Sequence, residues 1–189
     1  MRKLLAVLVL IAVAAAFAVS LFMIRQIIDY RSPWFGLMLM LDFLGLVAFG
    51  RPLFVLKMPG FLRSARPWET NGTVYRALRV PAFGMLLRRT PLRVLNPMVY
   101  LDRGPGDTAV VLAQLESAEA AHVYAAAILL PHMIYALARG WFGAVAWLVV
   151  VQIAFNLYPA MHLRWARIRV GRLDERTNHR KKDRHHEES

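Results

Sequence analysis

The sequence predicts an all-α integral membrane protein with about four transmembrane helices. Its 189 residues are 58% hydrophobic, with a mean hydropathy of +0.41, whereas soluble domains are apolar over roughly half of their residues. Its formal net charge is +12, which is typical of membrane proteins whose flanks contact anionic lipid. The apolar residues form four stretches, at 4–24, 34–50, 120–138 and 141–158. These stretches make nucleic-acid binding, the other usual meaning of strong basicity, the weaker interpretation.

The first stretch is long enough to cross roughly 30 Å of hydrocarbon as a helix. It follows a positive start at Arg2 and Lys3 and contains Ala16-Phe-Ala18, which resembles a signal-peptidase site. The apolar run continues past that site to Ile24. This continuation favours an uncleaved signal anchor over a cleaved signal peptide.

The remaining stretches carry few charges. Asp42 is the only charge in 34–50. It is expected to pair with a basic group or to face the bundle interior, in a functional role or in a structural hydrogen bond. Only Arg139 and Gly140 separate the last two stretches, so these two predict an antiparallel helical hairpin.

Basic residues orient the predicted helices. Residues 1–3, 51–118 and 159–189 hold 21 of the 24 Lys and Arg, and the two other connections hold Arg25, Arg31 and Arg139. The positive-inside rule therefore places both termini and the central loop in the cytoplasm, in a multi-pass protein of the cell (inner) membrane.

The central loop, 51–118, interleaves aromatic and aliphatic residues with arginines and is divided by prolines. This pattern predicts short cytoplasmic interfacial helices that contact anionic headgroups of the inner leaflet. We expect one membrane domain over 1–170 and a disordered, mixed-charge tail over 171–189.

Glu116, Glu119 and His122 are spaced by three residues, so each lies near the next on one helix face. Glu119 and His122 are typical of an orienting carboxylate and a general base, with Glu116 extending the acidic edge or pairing with an arginine. The competing interpretation is a helix whose first turn holds Glu because of its dipole. No metal or cofactor is expected, since a di-iron bundle needs Glu-x-x-His twice and this chain has it once.

A second concentration of polar residues ends the last stretch. Asn156 is a polar group within the apolar run, and Arg164 and Arg167 follow it. The two arginines are either planar forks for a phosphate or carboxylate, or ordinary positive-inside anchors. The predicted hairpin places this segment level with His122, which favours a shared site.

At these segments the chain resembles the glycosyl-4,4′-diaponeurosporenoate acyltransferases of carotenoid biosynthesis. The resemblance rests on Ala118-Glu119-x-x-His122, on Asn156 followed by Arg164-Trp-Ala-Arg167-x-Arg169, and on Trp68-Glu69-x-x-Gly72-x-x-Tyr75. Ala166, Leu163 and Ser117 depart from the family pattern.

The resemblance implies a membrane acyltransferase that moves a fatty acyl group to a hydroxyl of a lipid-linked sugar or other lipid. It implies His122 as base, Glu119 as its partner, and Arg164 and Arg167 near an acyl or phosphate group. It also extends the candidate substrate-binding residues to Trp68 and Glu69, and implies acyl-CoA or an acyl-carrier protein as donor.

Two other functions stay open at this point. A non-catalytic module that binds anionic lipid or scaffolds other enzymes needs only the basic, aromatic loop. An intramembrane hydrolase would use His122 to activate water.

Overall fold

The computed structural model describes residues 2–50, 55–90 and 108–187, and within these ranges all regular structure is helical. Residue 1, the segments 51–54 and 91–107, and the last two residues lie outside the described residues. The all-helical prediction is confirmed.

The helices follow one another with short connections. Their bounds, in chain order, are α1 Arg2–Ile27, α2 Pro33–Gly50, α3 Gly60–Arg63, α4 Pro67–Thr70, α5 Thr73–Ala77, α6 Val80–Arg89, α7 Thr108–Ala138, α8 Phe142–Val151, a π-helical segment Gln152–Leu157, and α9 Tyr158–Glu187.

Three described segments are long and apolar enough to cross a membrane, judged by length and composition: Val7–Ile27, Thr108–Ala138 and Phe142–Asp174. Pro33–Ala48, which overlaps the predicted second span, is a shorter apolar helix. The chain is therefore a helical protein of membrane character. The prediction of four spans, with both termini inside, is taken up below as a proposal.

The helix bounds differ from the predicted stretches at two places. The third span was predicted from residue 120, but α7 begins at Thr108 and has no acidic residue in its first turn. The dipole interpretation of the two glutamates is therefore wrong, because Glu116 and Glu119 lie two to three turns inside the helix. At the other end, α9 continues to Glu187, and so assigns helix to most of the predicted disordered tail, which is rich in the helix formers Arg, Glu and Lys.

The chain divides into two compact units. The first comprises Met1–Leu56 and Ala120–Pro159. Its core is a cluster of buried side chains from α2, α7 and α8, namely Leu37, Leu39, Met40, Ala125, Leu129, Leu148 and Val151. Asp42 accepts a hydrogen bond from the Ser20 hydroxyl of α1 at 2.6 Å, which is the structural bond anticipated for it.

The predicted hairpin between α7 and α8 is present in this unit. The amide of Gly140 donates to Leu137 and that of Trp141 to Ala136, and Gly140 has a φ of 71°. These two bonds and the left-handed glycine form a Schellman motif, which ends α7 and reverses the chain.

The second unit comprises Lys57–Glu119 and Ala160–Ser189. Its core packs Leu115 and Ala118 of α7 against Leu163 of α9. The central loop contributes the four short helices α3–α6 to this unit, and the predicted short helices are therefore present in its described part. Pro67 and Pro81 occupy first-turn positions of α4 and α6, where the missing N–H is not needed.

Candidate active site

Arg164 is the centre of a buried polar network in the second unit. Its Nε and Nη2 form a fork on the two carboxylate oxygens of Glu69, and its Nη1 donates to Glu119 Oε1 at 3.0 Å. The remaining hydrogen bonds go to the carbonyls of Leu62 and Ser64. A guanidinium has five N–H donors, so all five are engaged within this unit.

Arg167 shares a carboxylate with Arg164 but has donors left over. Its Nε donates to Glu119 Oε2 at 2.9 Å, and its Nη1 donates to the carbonyl of Arg63 at 2.8 Å. Its Nη2 is buried and has no hydrogen-bond partner among the described residues. A buried guanidinium that is held on one side and has an unpaired N–H donor on the other is suited to bind an oxygen that carries negative charge.

Glu119 joins the two arginines. Its side chain is 2% exposed, and each of its oxygens accepts from a different arginine. Removing a carboxylate from water is costly, and two charge-assisted hydrogen bonds offset part of that cost. Each oxygen retains a second lone pair, so the predicted pairing with His122, which belongs to the other unit, stays a prediction.

Glu69 is the second anchor of Arg164. Burial raises the pKa of its carboxyl, but hydrogen bonds from Arg164 and from the Arg66 amide, with the arginine charge, outweigh burial and leave that pKa below its ordinary value. Tyr75 donates its hydroxyl to Glu69 at 3.1 Å. Burial and the Glu69 carboxylate together raise the pKa of Tyr75. Glu69 is therefore ionised, and Tyr75 neutral, near neutral pH.

The segment Trp68–Tyr75 positions Glu69. Gly72 has a φ of 68°, in the left-handed region that glycine tolerates, and a Cβ there would collide with the Trp165 ring. That ring packs against the Tyr75 ring at 5.2 Å between centroids. Trp68 is 52% exposed, and its predicted contact with substrate stays a prediction.

Glu116 lies at the edge of this network. It forms a salt bridge with Arg63 at 3.0 Å and accepts from the Met58 amide at 3.2 Å. Of the two roles expected for it, this geometry supports the pairing with an arginine. It fixes the chain entering α3, from which two carbonyls reach Arg164 and Arg167.

The other predicted site residues lie in the first unit. His122 Nδ1 is 2.9 Å from the carbonyl oxygen of Phe155. A carbonyl oxygen only accepts, so Nδ1 carries the proton in this geometry and Nε2 is the basic nitrogen of the neutral ring. The partner of Nδ1 is thus a backbone group of the π-helical segment, a kind of segment that is frequent at functional sites.

Asn156 lies in the same π-helical segment and is buried. Its Nδ2 donates to Gln152 Oε1 at 2.6 Å and contacts the Met40 sulfur at 3.2 Å. Its Oδ1 is buried without a partner among the described residues. Gln152 in turn donates to the Ala126 carbonyl at 2.9 Å.

One buried histidine of the second unit was missed by the sequence analysis. His162 is 9% exposed, and both of its ring nitrogens lack a hydrogen-bond partner among the described residues. Its ring packs against Gly84 and edge-on against Phe83. Helical periodicity could have indicated this residue, because a side chain two positions before Arg164 lies on nearly the opposite side of the same helix.

The structure thus brings together Glu69, Glu119, Arg164 and Arg167 in one unit, and places His122 and Asn156 in the other. The predicted use of Arg164 on an acyl or phosphate group stays a prediction, and such a group would have to displace one of its five bonds. Arg167 has open donors for that role.

Comparison with known proteins identifies the family. Residues 59–176 match the model of the glycosyl-4,4′-diaponeurosporenoate acyltransferase family. No curated protein and no solved structure matches the chain. The match spans well over half of the sequence and contains all four residues of the buried network. The chain therefore belongs to the glycosyl-4,4′-diaponeurosporenoate acyltransferase family.

Proposed function

We propose that this protein is a membrane acyltransferase that transfers a fatty acyl group to a hydroxyl of a lipid-linked sugar or a related lipid. Family membership supports acyl transfer to a glycolipid. The observation that carries the proposal is the buried Glu69–Arg164–Glu119–Arg167 network with its open Arg167 donor. Ionisable groups in apolar, membrane-type segments are costly and mark functional sites.

Arg167 is proposed to stabilise the negative charge of acyl transfer. Attack on an acyl carbonyl places charge on its oxygen, and donors fixed in advance in a site of low polarity stabilise that charge most effectively. Glu119 and the Arg63 carbonyl hold the guanidinium by its Nε and Nη1, which directs Nη2 to a substrate. Arg164 then serves to fix Glu119.

His122 is proposed as the general base. Its Nε2 accepts the proton of the acceptor hydroxyl while the hydroxyl oxygen forms the new ester bond. The bond from the acyl carbon to the donor sulfur breaks, and the thiolate leaves and takes up the proton. The Phe155 carbonyl orients the ring, and Glu119, Glu116 and Asn156 remain proposed contributors.

The donor in this proposal is a thioester, acyl-CoA or acyl-carrier protein, which arrives from the cytoplasm. The charge distribution supports four spans, both termini inside and the short helices α3–α6 on the inner leaflet of the cell membrane. This topology requires α2 to cross the membrane. With 18 residues, α2 is close to the lower limit of length for crossing the hydrocarbon.

A non-catalytic lipid-binding module is the second candidate, and α6 supports it. Met85 and Leu86 are 57% and 60% exposed and are followed by the exposed Arg88 and Arg89. Such a helix fits an anionic membrane surface. In that case, charge reversal at Arg76, Arg79, Arg88 and Arg89 matters more than any change at His122. An intramembrane hydrolase, the third function, would release free fatty acid.

An in vitro acyl-transfer assay tests the proposal. Purified protein is given a labelled acyl thioester and a glycolipid acceptor, and the lipid products are resolved by mass spectrometry. We expect His122→Ala to abolish ester formation while membrane insertion survives, and Arg172→Gln, an exposed change on α9, to retain it. Wild-type rates for His122→Ala would remove the base assignment, and labelled free fatty acid without an acylated acceptor would indicate a hydrolase.

A further inference from the structure

The first unit contains an open cleft of about 630 Å³ that the proposed reaction does not use. It lies where the α1–α2 connection meets the α7–α8 turn. Its lining residues are Asp29, Tyr30, Arg31, Tyr135, Arg139 and Trp141. Three of the six are aromatic and two are arginine.

The two lining arginines each lie over an aromatic ring of the same cleft. The guanidinium carbon of Arg31 is 5.7 Å from the centroid of Trp141, and that of Arg139 is 5.3 Å from the centroid of Tyr135. Arg139 also donates its Nε to the Tyr135 hydroxyl at 3.2 Å. Cation–π contact orients a guanidinium while leaving its N–H edge available to an anion.

Arg25, in the last turn of α1, makes a third cation–π contact at the cleft. Its guanidinium carbon is 5.3 Å from the centroid of Tyr30, which lines the cleft. The three rings of the cleft are therefore already in contact with guanidinium groups. An uncharged sugar that stacks on these rings is a less suitable ligand than an anion that binds the guanidinium groups.

The charges around the cleft are not balanced. Among the described residues, none of these three arginines forms a salt bridge. The one carboxylate present, Asp29, accepts from the backbone amide of Arg31 at 2.8 Å and so caps a local turn. Three cations face one anion, which leaves a surplus of two positive charges.

The distribution of basic residues along the chain makes this surplus unexpected. Of 24 Lys and Arg, only Arg25, Arg31 and Arg139 lie outside residues 1–3, 51–118 and 159–189. All three border this single cleft. Arginines that converge on one place without matching carboxylates favour a bound anion.

We propose that this cleft binds the phosphate group of an anionic lipid headgroup. Planar guanidinium forks match phosphate oxygens, and the cleft lies at the ends of apolar helices, where headgroups are found. The side of the membrane on which it lies rests on the proposed topology; the binding itself does not.

Native mass spectrometry of the full chain in detergent tests this site, with phosphatidylglycerol and phosphatidylcholine as probes. Wild-type protein is expected to retain phosphatidylglycerol in preference. Arg31→Gln/Arg139→Gln should weaken that binding about tenfold or more, since two charge-assisted contacts are lost. Arg169→Gln/Arg172→Gln removes the same charge from exposed sites on α9 in the second unit and should change binding less than about threefold. Arg31→Lys/Arg139→Lys keeps the charge without the fork and should fall between them.

Inorganic phosphate, added at millimolar concentration, shows whether the bound phosphate group belongs to a lipid or to a soluble compound. Its failure to displace the lipid is the expected result, whereas full displacement would overturn the lipid assignment in favour of a soluble phosphate compound. Equal losses in both glutamine pairs, or no preference for phosphatidylglycerol, would overturn the site itself. Acyl transfer is measured separately, so either proposal can fail alone.

Discussion

At the scale of single residues, Arg164 and Arg167 show how one carboxylate can serve two different purposes. Both contact Glu119, three residues apart on α9. Arg164 has every donor engaged by the protein, whereas Arg167 keeps a buried Nη2 without a partner among the described residues. The first is built to hold structure, and the second has capacity for a ligand. Sequence pattern alone treats the two as equivalent.

Substitution of Arg167 should therefore affect chemistry more than folding. We expect Arg167→Gln to lower kcat about a hundredfold, the usual effect of losing one donor to a developing oxyanion, with KM less affected. Arg167→Lys should be nearly as poor, because an ammonium group cannot replace the fork. Steady-state kinetics of acyl transfer measure both constants, and unchanged kcat in Arg167→Gln would remove this role.

Glu69 should contribute a pH-dependent part of stability. Its pKa is lower when folded than its ordinary value of 4.5, so its stabilisation is complete above about pH 4.5 and is lost as pH falls through the folded-state value. Glu69→Gln leaves Arg164 poorly paired and should cost about 3 kcal/mol at neutral pH. Thermal unfolding from pH 7 to pH 3 should show a shallower acid loss for Glu69→Gln than for wild type. A loss of stability at low pH as steep as that of wild type would contradict this role of Glu69. Asp174→Asn is the control.

At the scale of elements, α4, α5 and the glycine between them act together, and we call this segment, residues 67–77, the clasp. Gly72 precedes α5 as its N-cap, in a left-handed conformation, and leaves room for the Trp165 ring. Tyr75 contacts both that ring and Glu69. The clasp thereby couples backbone shape to the placement of Arg164.

Gly72→Ala tests the clasp. It adds the strain of a positive φ, of order 1–3 kcal/mol, and displaces Trp165, so we expect a clear fall in melting temperature and in activity. Gly171→Ala is the matched control, because a Cβ there meets no atom within 4 Å and alanine favours helix. Equal melting temperatures for the two variants would show that Gly72 is not required.

Helix content was readily predictable, but helix ends and partners were not. Long apolar runs and the Arg139-Gly140 break fixed the helices and the hairpin turn. The start of α7 was missed by twelve residues because Thr108–Ala118 mixes polar and apolar side chains. The orientation of His122 by Phe155 depends on a carbonyl in a π-helical segment, which residue types do not reveal.

The candidate site was predictable in its members more than in its connections. Glu119, Arg164, Arg167 and Glu69 were all named from motifs, and they do meet. Spacing along the helix suggested His122 as the neighbour of Glu119, but the strongest partners of that carboxylate are 45 and 48 residues away. His162 was missed because a single histidine matches no motif, and only its position on the helix side opposite Arg164 distinguishes it.

At the scale of the whole molecule, the proposed topology sets the face from which the proposed acyl donor would arrive. The chain has no cysteine, so single cysteines report without background. In intact cells, an impermeant maleimide should label Ser32→Cys and Phe142→Cys but not Arg76→Cys or Arg172→Cys. Labelling of Ser32→Cys and Arg76→Cys alike would show that α2 does not cross the membrane.

A lipidome comparison of cells that produce wild-type, Arg167→Gln or His122→Ala protein at equal membrane levels tests acyl transfer most directly. We expect that one acylated lipid class, present with wild type, is missing in both variants, while its unacylated precursor accumulates. Identical lipid profiles in all three strains would contradict acyl transfer through these residues.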